Sequence, residues 1–185
     1  MALSTELNDL EIVERVAAGD VDAFRHLVRR HSNRIFHLAY GMLGKREDAE
    51  DVLQETFVRA YRGLRKFRGK SAVGTWLYSI AARLCLSRKS RVARYHVESL
   101  EELGMVVPAV HEDPVSRLIA RESAEKVHHA LAKMATADRL LIVLKYIEGL
   151  SHEEIAGVLE CSVGSSRARL VRAKRLFQEL YERAG

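Results

Sequence analysis

The stretch that decides the fold is residues 151–175, SHEEIAGVLECSVGSSRARLVRAKR. Ser151 is followed three residues later by Glu154, which is the pattern of a capping box at the start of a helix. Apolar residues at helical spacing come next, a short turn passes through residues 160–162, and another helix begins at Val163. Two helices joined by so short a turn predict a helix-turn-helix unit, whose second helix is suited to the DNA major groove.

The second of these helices carries a strongly basic face, with no carboxylate before Glu179. Its basic residues are Arg167, Arg169, Arg172, Lys174 and Arg175. Because such a face suits duplex DNA, we expect Ser165, Ser166 and Arg167 to meet base edges and later basic residues to meet phosphates. The alternative is a solvated helix with spare charge, which the preceding turn disfavours.

The whole chain predicts an all-α protein, because it has only two prolines and almost no alternation of β-branched residues. A first apolar stripe ends at Gly19, and Asp20 fits as the next N-cap. The members of that stripe are Leu10, Val13, Val16 and Ala17. Longer stripes predict a second helix up to Gly44, a third up to Gly63 and a fourth from about Thr75, which together form a compact bundle.

Regular periodicity lapses between about residues 92 and 112, where glycine, proline and mixed charge are typical of a linker. We therefore predict two small helical bundle domains, 1–94 and 114–185, joined by a flexible linker, 95–113. The second domain contains the helix-turn-helix and begins with a connecting helix after Pro114. About twenty residues can extend on the order of 60 Å, enough to let the two domains engage separate sites.

The first domain has an unusual charge distribution, since residues 56–97 contain no Asp or Glu but eleven Lys and Arg. Such a stretch repels itself unless something anionic lies against it. Aromatic rings lie within it, which favours a surface for single-stranded nucleic acid. The candidate strand-binding residues are Arg59, Arg62, Lys66, Phe67, Lys70, Ser71, Trp76, Tyr78 and Arg83. Trp76 fits a core position equally well, because its spacing to Ile80 and Leu84 is helical.

Carboxylates cluster just before this basic stretch, at the start of the third helix. They are Glu47, Asp48, Glu50, Asp51 and Glu55. Negative charge there favours the helix dipole, which can explain the first two or three. Glu55 lies deeper in the helix, so we favour a face for a basic protein partner, formed by Asp48, Asp51, Gln54 and Glu55.

The amino-acid composition limits the class of protein, the kind of partner and the cofactors that can be expected. The 185 residues are 48% apolar and 30% charged with a net charge of +5, which is typical of folded domains with polyanionic partners. Cys85 and Cys161 lack metal-ligand spacing, so no metal or other cofactor is expected. Without a basic leader or an apolar run of about 18 residues, we expect a cytoplasmic protein with no membrane insertion.

An enzyme is not expected, because the sequence lacks a Gly-rich phosphate loop, an H-E-x-x-H motif and a nucleophile elbow. The eight histidines could suggest catalysis, but no supporting constellation accompanies them. His128, His129 and His152 are expected to be solvated residues on helix surfaces or caps.

Two groups of motifs resemble a known family. DAEDVLQETF (48–57), FRG (67–69) and TWLYSIA (75–81) are similar to the second conserved region of extracytoplasmic-function sigma factors, which are initiation subunits of bacterial RNA polymerase. YIEGLSHEEIA (146–156), VG (163–164) and RLVRA (169–173) are similar to the fourth region. The matching parts occur in the right order and cover most of the chain outside the linker and the ends.

The resemblance implies a sigma factor that binds RNA polymerase core and directs promoter recognition and DNA melting. The acidic helix would dock on the clamp helices of the largest polymerase subunit. The loop at 69–75 and the helix after it would open and read the minus-ten element, capturing a flipped base. The final helix would read the minus-thirty-five element through Arg167, Ala168, Val171 and Arg172, with Lys174 among the basic residues toward phosphates. An anti-sigma partner is implied by resemblance only.

The sequence departs from the family pattern at several reading positions. Arg83 stands where Asn is often used near the melted strand, Val171 where an aromatic residue or His is common, and Ala168 where Ser is common. These changes affect promoter identity more than function. The rival interpretation is a stand-alone helix-turn-helix regulator of duplex DNA, which would leave the acid-free stretch of residues 56–97 unexplained.

Overall fold

The computed structural model describes residues 7–95 and 114–184 of the chain. Within these two ranges the secondary structure is helical and contains no strand, as the sequence predicted. The predicted linker of 95–113 falls outside the described residues except for Tyr95, which still belongs to a helix. We call residues 7–95 the N-terminal module and residues 114–184 the C-terminal module.

The N-terminal module is built from four helices. They are α1 (Asp9–Ala17), α2 (Phe24–Leu43), α3 (Arg46–Gly63) and α4 (Val73–Tyr95), with 3₁₀ turns at Val21–Ala23 and Leu64–Lys66. Helices α2, α3 and α4 pack on one another around an apolar core, as their predicted stripes require. The predicted ends are confirmed at Gly44, which has a left-handed φ of 76°, and at Gly63, the last residue of α3.

Helix α1 buries two residues of the predicted stripe, Val13 and Val16, but not the other two. A capping box at Asn8 starts it, with the Glu11 N–H donating to Asn8 Oδ1 at 2.9 Å. Ile12 is fully buried, whereas Leu10, which the sequence assigned to the buried stripe, is 54% exposed. Ala17 is also exposed, so that prediction was wrong at both ends of the stripe. The reason is that the buried face of α1 is set by α2 and the turn that follows α1.

The C-terminal module contains the predicted helix-turn-helix. Its elements are α5 (Pro114–Lys133), α6 (Thr136–Ile142), which continues as a π-helical turn (Val143–Ile147), α7 (His152–Leu159) and α8 (Val163–Glu182). The capping box at Ser151 is present, with the Glu154 N–H donating to Ser151 Oγ at 3.1 Å. The turn passes through Glu160 in the left-handed region, with a φ of 52°, and Ser162 caps α8.

The two modules pack directly against each other, and their buried apolar residues form one continuous core. Helix α7 lies on α4, and the π-helical turn lies on α2. Gly41 permits this second contact, because a Cβ placed there would lie 3.1 Å from a Val143 methyl group. The sequence predicted two modules but gave no sign that they would pack together. Among the described residues, no helix is long and apolar enough to cross a membrane.

Candidate nucleic-acid interface

The exposed side of α8 brings together most of the residues predicted to read duplex DNA. We call it the duplex surface, and it consists of Ser165, Arg167, Ala168, Val171, Arg172 and Lys174. Val171 is 70% exposed, and an apolar side chain at a groove-facing position can contact a thymine methyl group. Leu170 and Ala173 on the opposite side of α8 are buried, which fixes the helix with its basic residues outward.

Ser166 does not belong to this surface. Although the sequence placed it at a base edge, its side chain is fully buried in the C-terminal module. Its neighbours in sequence, Ser165 and Arg167, are exposed, whereas Ser166 lies on the same buried side of α8 as Leu170 and Ala173. The burial of Ser166 therefore leaves its hydroxyl group no access to DNA in this arrangement.

Arg167 is held loosely at the start of the duplex surface. One guanidinium nitrogen lies 3.5 Å from Glu153 Oε1 on α7, and both side chains are more than half exposed. An ion pair this exposed is screened by solvent and is weak, so the guanidinium group can exchange Glu153 for a base at little cost.

Exposed polar residues predicted to bind a single strand lie along the end of α3 and the loop before α4. We call these the strand surface, and its exposed members are Arg59, Arg62, Lys66, Lys70 and Ser71. Only one of them has a carboxylate close by in the described part of the chain: Arg59 Nε donates to Glu55 Oε1 at 2.7 Å. The remaining charges are available to phosphates.

Two aromatic rings border the strand surface. Phe67 and Trp76 are both half-buried, with ring centroids 5.0 Å apart and planes tilted by 42°. Gly63 lies under the indole ring, since a Cβ there would be 3.4 Å from Trp76. Trp76 therefore fits both interpretations that the sequence left open, because part of its side chain packs against the core and part reaches the surface.

Two further residues predicted to bind a strand contact the C-terminal module instead. Tyr78 is only 3% exposed, and its hydroxyl group donates to Glu148 Oε2 at 2.6 Å. Burial and the Glu148 carboxylate both raise the pKa of Tyr78, so its hydroxyl group stays protonated. Arg83 is exposed and forms an ion pair with Glu160 at the turn before α8. In this arrangement the Tyr78 hydroxyl group is not free to meet DNA, whereas the Arg83 guanidinium group, like that of Arg167, can leave its exposed ion pair at little cost.

The acidic surface on the first half of α3 consists of the four residues that the sequence assigned to a protein partner: Asp48, Asp51, Gln54 and Glu55. All four lie on the outer side of the helix, and Asp51 and Gln54 are exposed. Arg88 on α4 lies 3.2 Å from a carboxylate oxygen of Asp48 and 3.2 Å from one of Asp51. The carboxylates are thus partly neutralised by cations of the same module, which the sequence did not indicate.

His128 was expected to be solvated, and that prediction was wrong. It is 6% exposed, with its ring centroid 5.0 Å from that of Tyr40 on α2. Burial lowers the pKa of His128, and the nearby charge of Arg139 lowers it further. In the described part of the chain, no three His, Cys, Asp or Glu side chains are grouped to hold a metal ion.

Three charged residues that sequence reasoning missed lie between the modules: Arg34, Arg139 and Glu148. Arg139 is 4% exposed, and Arg139 Nη1 donates to the Met42 carbonyl oxygen at 2.8 Å. Glu148 is 6% exposed, and burial raises the pKa of its carboxyl group. Charged residues are normally solvated, so no pattern in the sequence marks these three as contacts between the modules.

Comparison with known proteins identifies the same two regions. Residues 27–95 match the sigma-70 region 2 family, and residues 124–177 match a sigma-70 region 4 family. The ECF RNA polymerase sigma-E factor of Escherichia coli K12 is 34% identical over 180 residues, covering 93% of each chain. The factor of the same name from Haemophilus influenzae is 33% identical over 183 residues, covering 95% of this chain and 96% of its own.

Solved structures share the fold. CnrH, in complex with the cytosolic domain of CnrY, is 26% identical with a TM-score of 0.70, covering 94% of this chain and 97% of CnrH. RpoE from Bartonella quintana, in complex with the anti-sigma factor NepR, is 23% identical with a TM-score of 0.69, covering 88% and 98%.

Region 2 followed by region 4, each folded as a helical module, defines a two-region protein of the sigma-70 class. Identity of about one third along almost the full length of both chains is more specific. The chain belongs to the extracytoplasmic-function group of RNA polymerase sigma factors.

Proposed function

We propose that this sigma factor joins RNA polymerase core through the acidic surface and holds promoter DNA with both modules. The duplex surface reads the minus-thirty-five element, and the strand surface holds the melted minus-ten element. The observation that carries the proposal is the separation of charge along α3. Carboxylates lie at its start, and a stretch without carboxylates begins at Thr56.

The acidic surface supports a basic protein partner. Its exposed carboxylates are paired with Arg88 and Arg59 at the surface, and such pairs contribute about 1 kcal/mol or less. Basic side chains of a partner can therefore replace these cations at little cost. Gln54, exposed between Asp51 and Glu55, adds a neutral donor and acceptor to the same face.

The two cationic surfaces support two kinds of DNA. The duplex surface is a convex helix face, which fits a major groove. The strand surface combines exposed Lys and Arg with the partly exposed Phe67 and Trp76, which suits unstacked bases and their phosphates. Contacts made only after melting stabilise the open complex, so the protein lowers the barrier to initiation by binding, without acting as an enzyme.

The proposed partners of the chain suggest where it acts and how it is regulated. We propose that the protein acts in the cytoplasm, where RNA polymerase and DNA are found. RpoE of Bartonella quintana, a protein of the same fold, is bound to an anti-sigma factor. We propose that an anti-sigma factor also regulates this chain.

A charge reversal tests the proposed docking to polymerase. The double variant Asp51→Lys/Glu55→Lys should lose binding to purified RNA polymerase core, because it places two cations on a surface that meets basic side chains. A matched control, Glu14→Lys/Asp22→Lys, makes the same change of charge at exposed positions elsewhere in the N-terminal module. Gel filtration of each variant with core polymerase measures the association, and circular dichroism checks the fold.

We expect the control to bind core as the native chain does and the Asp51/Glu55 variant to elute alone. If the Asp51/Glu55 variant keeps the affinity of the native chain, the acidic surface is not the docking site. If the native chain itself does not bind core, the proposed function is wrong.

A further inference from the structure

The outward side of α2 is strongly basic. Residues 23–46 contain no Asp or Glu but six Lys and Arg and three His. Helix α2 fills most of this stretch, and each of its exposed positions is Arg, His or Asn. The exposed residues of α2 are Arg25, His26, Arg29, Arg30, Asn33, Arg34 and His37. None of them belongs to the duplex surface, the strand surface or the acidic surface.

Two of these arginines are held by contacts within the chain. Arg30 forms an ion pair with Asp9, and its other terminal nitrogen donates to the Leu7 carbonyl oxygen at 2.8 Å. Arg34 Nη2 donates to the Glu148 carbonyl oxygen at 2.7 Å. Arg30 and Arg34 therefore have structural partners and are not available to a ligand.

Four of the other exposed residues lie together on the first half of the helix. Arg25, Arg29 and Asn33 follow one another at steps of four residues, so they share one side of α2. His26 lies beside them, and Arg25, His26 and Arg29 line the same surface groove. We call Arg25, His26, Arg29 and Asn33 the α2 patch.

The charges of the α2 patch are almost without partners. Arg25 lies 3.4 Å from a carboxylate oxygen of Asp22, but both side chains are more than three-quarters exposed, so this pair is weak. Among the described residues, no carboxylate forms an ion pair with His26 or Arg29. The side chains are therefore free to meet an anion from outside the chain.

The same charges are placed against the stability of their own helix. The first turn of α2 contains no acidic residue, although a helix start favours negative charge and disfavours the cation of Arg25. Arg25 and Arg29 are four residues apart, a spacing at which like charges repel on a helix surface. A bound anion offsets both costs, whereas water alone would favour carboxylates at this end of the helix.

The α2 patch lies beside the strand surface. The ring of Phe24, the residue before Arg25, packs edge-on against that of Tyr61, with the two centroids 5.2 Å apart. Tyr61 is exposed and directly precedes Arg62 of the strand surface. The first turn of α2 thus adjoins the last turn of α3, so a strand that leaves Arg62 can continue along the α2 patch.

The chemistry of the α2 patch fits a phosphate backbone. Arginine, histidine and asparagine side chains donate to phosphate oxygens, and such contacts carry no base preference. The distance from Arg25 to Asn33 along the helix is about 12 Å, which corresponds to three or four phosphates at about 3.4 Å each. None of the exposed positions of α2 is apolar, so the anchor residues that a protein interface needs are missing.

Resting on the proposed function, we propose that the α2 patch is a third DNA surface. It holds the phosphate backbone of the strand that leaves the strand surface, and it does so without reading bases. A strand that spans both surfaces therefore binds more tightly than one that covers the strand surface alone, whatever its sequence.

Two pairs of substitutions test the proposal. Arg25→Gln/Arg29→Gln removes two charges from the α2 patch, and glutamine has nearly the helix propensity of arginine, so the fold should be kept. The matched control is Lys133→Gln/Arg183→Gln, which removes two exposed charges from the C-terminal module. Circular dichroism checks the fold of each variant.

The readout is fluorescence anisotropy of labelled single strands of mixed sequence, one of about 8 and one of about 20 nucleotides. The chain is measured in complex with core polymerase, and core alone gives the background. The shorter strand covers the strand surface, whereas the longer strand also reaches the α2 patch. Each affinity is measured at several salt concentrations.

We expect the Arg25/Arg29 variant to bind the longer strand about tenfold more weakly than the native chain at low salt. The slope of log affinity against log salt should fall by about 1.4, because two phosphate contacts are lost at about 0.7 each. Affinity for the shorter strand should stay within about twofold of native. The control should match the native chain with both strands.

An unchanged salt slope with the longer strand, or an equal loss of affinity with both strands, would overturn the proposal. So would a loss of binding to core polymerase, measured by gel filtration, with unchanged affinity of the remaining complex for DNA. The α2 patch would then contact a protein and not a phosphate backbone.

A third variant separates this proposal from the proposed function. Arg62→Gln/Lys66→Gln changes the strand surface and should weaken the binding of both strands. If it weakens neither, the strand surface does not hold DNA and that part of the proposed function fails. A loss confined to the Arg25/Arg29 variant and the longer strand would in that case still assign DNA to the α2 patch.

Discussion

At the scale of single residues, the structure divides the candidate DNA contacts into exposed and buried side chains. Arg167, Val171 and Arg172 were assigned to an exposed reading face, and the structure exposes all three. Tyr78 and Ser166 were assigned to DNA, and both are buried. Periodicity places a residue on one side of its own helix, but it contains no information about which other element will cover that side.

Arg167 tests direct reading of duplex DNA. Arg167→Ala should weaken binding to a promoter duplex by about 1 to 3 kcal/mol and relax base preference at one position, because a guanidinium group reads a base edge. Competition assays with single-base variants of the duplex measure both effects. Arg183→Ala, an exposed arginine beyond the end of α8, should change neither. An equal loss of affinity across every duplex variant would mean that Arg167 contacts only phosphate.

His128 tests the buried contact between the modules. Its pKa is lowered in the folded chain, so the unfolded chain binds the proton more tightly, and His128 contributes stability that is lost as pH falls through its ordinary value near 6.5. The raised pKa of Glu148 acts in the opposite direction, since protonation favours its buried state. Comparing native protein with His128→Phe cancels the contribution of Glu148.

We therefore expect the thermal stability of the native chain to fall relative to that of His128→Phe between pH 7.5 and pH 5.5. Differential scanning calorimetry at the two pH values measures the difference. A constant difference would show that His128 does not become protonated on unfolding in this range, contrary to its burial against Tyr40 and Arg139.

At the scale of elements, boundaries were predicted well because caps are local chemistry. Asp20 accepts from the Ala23 N–H at 3.2 Å, and Gly44 and Gly149 adopt the left-handed conformation expected after a helix. Each of these capping signals depends only on residues within a few positions of the helix end. The orientation of α1 was predicted only in part: Val13 and Val16 are buried as expected, but the choice between Leu10 and Ile12 depends on contacts with α2 and was wrong.

The cap at Ser151 positions the helix-turn-helix and can be tested alone. Ser151→Ala removes the acceptor for the Glu154 N–H and should destabilise the chain by about 1 kcal/mol. In a protein of this size that corresponds to a fall in melting temperature of about 2–4 °C. Ser87→Ala, an exposed serine inside α4, is the control and should change stability by less than about 0.5 kcal/mol. Equal effects of the two substitutions would contradict the capping role.

At the scale of the whole molecule, the sequence predicted two modules and their order, but it did not predict that they pack together. The interface depends on Arg139 and Glu148, and charged residues are assigned to the surface by every pattern rule. It also depends on Gly41 and Gly157, whose small size matters only because another helix approaches them. Whether such residues meet another helix depends on pairs of residues that are distant in sequence. The periodicity of one helix cannot predict those pairs.

The central claim is that this chain directs RNA polymerase to promoters. The most direct measurement is transcription of genomic DNA from the source cell by purified core polymerase, with and without the purified chain, followed by mapping of the RNA 5′ ends. The account predicts new start sites that appear only with the chain and share two sequence elements at a fixed spacing. An unchanged set of 5′ ends, with no association between the chain and core polymerase at modest salt, would contradict it.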